Sequence, residues 1–240
     1  MTTPATFNTP DRIIRMAMVD AGYLQDGDDP TPEQYANYLN RLNDLINFWQ
    51  TQGLKLWLQY DLSIPLTSGQ GTYTIGPGGS VDMVKPLRVI DNGYYLDTQG
   101  IKRPLLMISR DEYTRLSSVT EQGALNSYFV DKQALQLVVH FWLVPDTTAA
   151  ANGTAHVTIQ KQVTNVTTLT ESMNFPQEWF LALRWGLADD ICTGQPLAIM
   201  QRCASKAEFY RLALEAWDVE DASTRFHPDS RSMHHGGAFR

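Results

Sequence analysis

Apolar and polar positions follow three regimes along this chain: a helical period, a strand period, and a helical period again. Ile13, Ile14, Ala17, Met18 and Ala21 recur at three- and four-residue steps and form one stripe. The preceding Thr9-Pro10-Asp11 reads as a helix start, with Thr9 as N-cap, Pro10 in the first helical position and Asp11 at the positive end of the dipole. Gly22 supplies the stop. A second helix opens at Thr31, where Pro32 comes first and Gln34 completes a Thr-x-x-Gln capping box. Tyr35, Tyr38, Leu39, Leu42, Leu45, Ile46 and Trp49 line its apolar face. Asn37, Asn40, Arg41, Asn43, Asp44, Asn47 and Gln50 line the other, so it is expected to pack on one side only and to stop at Gly53.

From Leu54 the period shortens. Leu62, Ile64 and Leu66 alternate with polar residues, as do Tyr73 and Ile75 beyond the turn Ser68-Gly69-Gln70-Gly71. A second turn follows at Gly76-Pro77-Gly78-Gly79. Further strands are expected at Leu87 to Ile90, Tyr94 to Leu96, Tyr128 to Val130, Ala134 to Val144 and Ala155 to Val163. Ser109-Arg110-Asp111-Glu112 is a second capping box, opening a short helix through Tyr113 and Leu116. Asn152-Gly153 is expected in a hairpin loop between the last two strands.

The helical period returns after Phe175-Pro176, with Trp179, Phe180, Leu183, Leu187 and Ile191 on one face. Gly194-Gln195-Pro196 breaks the chain. A final helix then carries Leu197, Met200, Cys203, Ala204, Ala207, Tyr210, Leu214 and Trp217 on one side. The fold expected is α+β: a mainly α-helical bundle formed by the N- and C-terminal helices, an inserted small antiparallel β-sandwich or barrel, and an extended C-terminal arm. The corresponding spans are 1–56, 57–170, 171–221 and 222–240.

The arm departs from the rest in composition. It holds three arginines against one aspartate, a formal charge of +2, so the rest of the chain carries −9 of the total −7. No apolar period runs through it, yet Phe226, Met233 and Phe239 are spaced anchors of the kind that order on a partner. An acidic chain of pI about 5.2 is a poor candidate for wrapping nucleic-acid phosphates. No basic start precedes an apolar run, and no apolar run reaches the roughly 18 residues of a membrane span, so a soluble protein with no membrane partner is expected.

Candidate chemistry is sparse. His227, His234 and His235 could hold a metal, but adjacent histidines on a Gly-flanked tail lack an orienting scaffold, and surface or interface contacts are expected instead. Asp26, Asp28 and Asp29 sit in a polar loop without the calcium-loop spacing. His140 and His156 lie in expected strands, away from any nucleophile motif. Glu178 and Asp189 stand about three turns apart on one helix, roughly 16 Å, too far for a glycosidase pair, and Asp190 follows the same logic. Gly69-x-Gly71 lacks the third glycine and the helix of a dinucleotide loop. Cys192 and Cys203 have no metal-ligand spacing and read as small core residues. Trp142, Trp179, Trp185 and Trp217 read as core or interface anchors. No cofactor, no metal and no enzymatic activity are expected.

One order of motifs is distinctive. A helix carrying Leu42-Asn43-Asp44-Leu45-Ile46-x-x-Trp49 leads through Gly53-Leu54-x-Leu56-Trp57 into a strand, then Gly69-Gln70-x-x-Tyr73-x-Ile75-Gly76. Together with Phe175-Pro176-Gln177-Glu178-Trp179 through Ala188-Asp189-Asp190, about a third of the chain resembles the head-to-tail adaptors of short-tailed bacteriophages, also called tail accessory factors or packaged-DNA stabilisation proteins. The chain departs from that pattern where Thr193-Gly194-Gln195-Pro196 stands in place of a tyrosine-glycine helix end, and in a longer β segment.

The resemblance implies a structural, non-enzymatic ring subunit at the portal vertex of a virion, made in the host cytoplasm. Its partners would be the portal protein ring, a tail or nozzle protein, and neighbouring copies in a dodecamer, with packaged DNA passing through the lumen without sequence-specific binding. The arm residues Arg225, Phe226, His227, Arg231, Met233, His234, His235, Phe239 and Arg240 would contact the portal. Acidic residues lining such a lumen would repel phosphates. The free chain is expected to be monomeric until it meets its template. The alternatives are another tail-tube or baseplate component, or a tail-delivered peptidoglycan hydrolase.

Overall fold

The computed structural model describes residues 9–52, 56–173 and 175–218. The expected arm and the Gly53 stop lie outside them. The described chain is α+β, with six α-helices, two four-stranded sheets and a two-stranded pair, and no sheet among the described residues closes into a barrel.

Helix α1 spans Pro10–Asp20 and α2 spans Pro32–Trp49. Thr9 takes the N-cap position of α1 in extended conformation, but its hydroxyl makes no capping bond. Gly22 stops the helix at φ +78°, a conformation that favours glycine. At α2 the capping box closes both ways, Gln34 N donating to Thr31 Oγ1 at 3.3 Å and Thr31 N to Gln34 Oε1 at 2.8 Å.

The β segment begins after a 3-10 turn at Leu56–Leu58. Strands β1 (Gln59–Pro65), β2 (Thr72–Ile75), β3 (Arg88–Asp97), β4 (Lys102–Pro104) and β5 (Leu106–Met107) precede the short capped helix α3 (Arg110–Thr114). Then come β6 (Gln122–Gly123), β7 (Ser127–Lys132), β8 (Leu137–Trp142), β9 (Val144–Pro145), helix α4 (Thr147–Asn152) and β10 (Gly153–Gln160). One sheet has the order β1-β10-β3-β4, the other β2-β8-β7-β5, and β6 pairs with β9. Ile64, Val89, Ala155, Val157 and Ile159 from the first sheet share one core with Tyr73, Ile75, Tyr128, Leu137, Val139 and Phe141 from the second.

Four expectations for this segment change. The runs at Leu87 to Ile90 and Tyr94 to Leu96 are one strand, β3. Opposite β10, the register jumps from His156–Tyr94 to Thr158–Ile90, so a bulge absorbs Asp91-Asn92-Gly93. A Cβ on Gly93 would stand 2.5 Å from the Tyr128 ring of the facing sheet, which is why the residue there is small. Ala134 to Gln136 belong to the β7–β8 turn, closed by Gln133 N donating to Gln136 O at 3.0 Å. Asn152-Gly153 is not a hairpin loop: Asp146 Oδ1 accepts from Ala149 N at 2.7 Å and winds α4, whose last residue is Asn152. Finally, β5–β7 and β6–β9 are parallel. Between β4 and β5 the chain crosses from one sheet to the other through the buried Leu105 alone, and it therefore arrives running alongside β7.

A 3-10 turn at Gln177–Trp179 leads into α5 (Phe180–Ile191), and Gly194 at φ +93° turns the chain into α6 (Leu197–Trp217). Ile13, Ile14 and Met18 from α1, Leu42 and Ile46 from α2, Leu183 and Leu187 from α5, and Cys203 from α6 belong to one buried cluster. Leu58, Val163 and Val166 join it from the flanks of the β segment. A Cβ on Gly186 of α5 would lie 2.7 Å from the Trp49 ring, so the two helices cross closely there. Asp20 at the end of α1 forms a two-pronged ion pair with Arg184 of α5, with Arg184 Nη2 donating to Asp20 Oδ1 at 2.7 Å.

Helix α2 packs on one side, with Asn37, Asn40, Arg41, Asp44 and Asn47 exposed on the other, but the packed side is wider than the apolar stripe and takes in Asn43 and Gln50 at its edge. Asn43 Nδ2 donates to Val166 O and its Oδ1 accepts from Val166 N, both at 2.9 Å. Gln50 is buried, and its Oε1 accepts from Val163 N at 2.8 Å. The irregular segment leaving β10 runs across α2 with peptide groups that no strand pairs, and these two amides satisfy them.

Candidate functional site

The residues conspicuous in the sequence turn out to hold the molecule together. Trp57 of the Gly-Leu-x-Leu-Trp exit packs on Phe175, ring centroids 5.0 Å apart, and Trp49 packs on Trp179 at 6.3 Å. Tyr73 is buried, and its hydroxyl accepts from Thr67 N at 2.8 Å, closing the turn between β1 and β2. Two stretches more than a hundred residues apart in sequence, one before and one after the β segment, therefore meet in one place.

Titratable groups gather in three places. On the outer face of the first sheet, Tyr94 donates to Asp61, and His156 Nδ1 lies 3.3 Å from the same carboxylate oxygen. Thr154 holds the other ring nitrogen at 3.1 Å, Tyr94 stacks on the imidazole at 4.7 Å, and Lys102 stands over the far side of the phenol at 4.4 Å. The hydrogen bond to Asp61 pushes the Tyr94 phenol up to about 12. On the outer face of the second sheet, His140 is stacked on Phe129, with Tyr113 and Arg110 of α3 beside that ring and Thr72 Oγ1 3.1 Å from Nδ1. Burial holds this imidazole below its ordinary value. Each histidine is fixed by its neighbours within a sheet face, a threonine hydroxyl included in both cases.

The third place is the turn between α5 and α6. Cys192 and Cys203 are buried neighbours, and burial raises both thiols, Cys203 to about 11, which keeps them protonated and unreactive. Asp189 is raised by burial and then by the adjacent Asp190, while Asp190 pairs with Arg41 at 3.2 Å. Glu178 lies in the 3-10 turn at the opposite end of α5. Among the described residues no group of three or more His, Cys, Asp or Glu is placed to hold a metal ion.

A concavity of about 350 Å³ opens between the β3–β4 turn and α4, lined by Tyr95, Asp97, Arg103, Asp146, Thr148 and Asn152. Its carboxylates are engaged. Asp97 Oδ1 accepts from Gln99 N at 2.9 Å and Ile101 N at 2.8 Å, and Asp146 caps α4. The arrangement orders two turns; no acid and base are aimed at a common point.

The remaining feature is a surface. Leu197 and Trp217, expected on the packed side of α6, are 68% and 79% exposed. Helix α6 has 21 residues against 12 in α5, about 31 Å against about 18 Å, so its ends overrun the core. Phe209 and Leu212 are also exposed, on a face the helical period had not marked as apolar. The signal for them was present, since apolar residues lie on both sides of α6. Among the described residues no helix is long and apolar enough to cross a membrane.

Arg225, Phe226, His227, Arg231, Met233, His234, His235, Phe239 and Arg240 lie outside the described residues. They follow Trp217, the last residue of α6, in the sequence. No protein-family model and no curated protein matches this chain.

Proposed function

We propose that this chain is a structural connector, a head-to-tail adaptor subunit that forms a ring beneath a phage portal, extends the DNA channel and joins the capsid vertex to the tail. In this reading α1, α2, α5 and α6 are a helical bundle into which the β-sandwich is inserted, and residues 222–240 are the portal-binding arm. The observation that carries it is the meeting of the two segments that bear the resemblance: Trp57 against Phe175 and Trp49 against Trp179. Residues matched by motif order alone need not touch, and these make one aromatic cluster at the junction of helices and sandwich. The charge division supports it too: an acidic body suits a lumen that DNA must pass, and a basic arm with spaced apolar anchors suits a docking segment.

The test is cryo-electron microscopy of the full chain mixed with portal rings from the same source. A twelve-fold ring on one portal face, with density for 222–240 running along the portal, is the expected result. A folded chain that leaves the portal bare would remove the connector reading and shift attention to other tail components. Charge reversal at Arg225 and Arg231 together should abolish docking while leaving the thermal midpoint unchanged.

A further inference from the structure

The concavity between the β3–β4 turn and α4 holds three charges that do not meet. Tyr95, Leu125 and Ala149 are its buried lining, with the Tyr95 hydroxyl donating to Ala149 O at 3.0 Å. Asp97, Asp146 and Arg103 stand around them. Each carboxylate is pinned through one oxygen to backbone N–H groups, Asp97 by Gln99 and Ile101, and Asp146 by Ala149. Among the described residues the second oxygen of each makes no hydrogen bond. Among the same residues Arg103 forms no ion pair and no hydrogen bond, and its guanidinium carbon lies 5.9 Å from the centre of the Tyr95 ring. An arginine and an aspartate free to approach close into a two-pronged pair, as Arg184 and Asp20 do. Here the turn bonds hold the carboxylates back. Burial raises the Tyr95 phenol above its ordinary value; Arg103 lowers it, and Asp97 and Asp146 raise it, so all three charges act on one hydroxyl.

We infer that this concavity binds a free basic amino acid, its α-carboxylate on Arg103 and its two cationic groups on the open oxygens of Asp97 and Asp146. One guanidinium and two carboxylates held apart match one anion and two cations in a single small molecule, and lysine and arginine carry that set. A diamine would satisfy the carboxylates and leave the guanidinium without a partner. An inorganic anion would meet the guanidinium but face both carboxylates. The volume of about 350 Å³ lies near the lower end of the roughly 300–1,000 Å³ of small-molecule sites, which suits a ligand of this size. The buried lining suits the methylene stem of such a ligand, and Gln99, Thr148 and Asn152 add amide and hydroxyl groups for its polar ends. This goes beyond the connector reading and does not depend on it.

The experiment is titration of the full, nitrogen-15-labelled chain with L-lysine at low salt, followed by amide chemical shifts. The amides of Gln99, Ile101 and Ala149, which bond to the two carboxylates, should shift saturably with a dissociation constant of about 1 mM or below. Arg103→Gln removes the cation. Asp97→Asn and Asp146→Asn each remove a negative charge and keep the oxygen that the turn bonds need. Each variant should raise the dissociation constant at least about tenfold, with unchanged circular dichroism. Cadaverine, which lacks the carboxylate, and Nα-acetyl-lysine, which lacks one cation, should each bind the wild type at least about tenfold more weakly than L-lysine. No saturable shift with L-lysine, cadaverine binding as tightly, or indifference to Arg103→Gln overturns the inference.

Discussion

The contact between Asn43 and Val166 can be tested quantitatively. Asn43→Ala removes two hydrogen bonds of 2.9 Å and strands the N–H and C=O of a residue that is itself buried. Each such bond contributes about 1 kcal/mol net, and a buried group left unsatisfied costs about 1–3 kcal/mol. Against this, alanine is the better helix former by about 0.6 kcal/mol. The balance is a loss of about 2 kcal/mol, or about 4–8 °C in thermal midpoint for a chain of this size. Asn40→Ala is the control, on the same helix with an exposed asparagine, and it should be neutral or stabilising by a few tenths of a kcal/mol. Urea unfolding followed by tryptophan fluorescence measures both, with an unchanged m-value as the sign that only stability moved. If the two variants agree within about 0.5 kcal/mol, Asn43 does not anchor the segment leaving β10, and the account of Asn43 as part of the packed side of α2 fails.

Three further outcomes are expected. Gly186→Ala should destabilise despite alanine's preference of about 1 kcal/mol for helices, because the new Cβ would meet the Trp49 ring at 2.7 Å; a stabilised variant would mean that α2 and α5 do not cross closely. His140, held below its ordinary value by burial and further lowered by Arg110 while Asp131 raises it, protonates more readily in the unfolded chain. Its contribution to stability is therefore full above about pH 6.5 and lost as pH falls towards the folded value, and His140→Phe should flatten that part of a urea-stability profile. Tyr128 is pushed up to about 12, chiefly by burial, so the folded state holds its proton longer than the unfolded one. Stability from this group is complete below about pH 10 and falls as pH rises towards 12, and the phenolate absorbance of Tyr128, isolated by comparison with Tyr128→Phe, should appear together with unfolding.

What could be read in the sequence was what is decided within a few residues. The capping boxes at Thr31 and Ser109 are contacts between positions three apart, and both close as expected. Gly22 and Gly194 take positive φ at the ends of α1 and α5, where glycine alone is unstrained. The features that escaped are decided by residues far away in sequence. Whether Asn92-Gly93 turns the chain or bulges within β3 depends on Tyr128 in the other sheet. The Asp61–Tyr94–His156 cluster exists only because β10 lies between β1 and β3, and no local spacing announces it. Parallel β5 follows from a crossing between sheets that Pro104-Leu105 does not advertise.

The two misread helix faces are converse cases with one cause. Periodicity assigns a face by residue type, on the premise that apolar means inside and polar means water. On α2 the premise fails because Asn43 and Gln50 serve peptide groups that have no strand to pair with, so polar side chains are buried by their partners. On α6 it fails in the other direction. Once Tyr210 and Leu214 face the core, the geometry of 3.6 residues per turn sends Phe209, Leu212, Ala213 and Ala216 outward whatever their character. Polarity on an inner face has its explanation within the chain, at Val163 and Val166. On the outer face of α6 the described residues supply one contact, Phe209 edge-on to Tyr210 with ring centroids 5.3 Å apart, so the neighbour that turns inward is also what the exposed ring rests on.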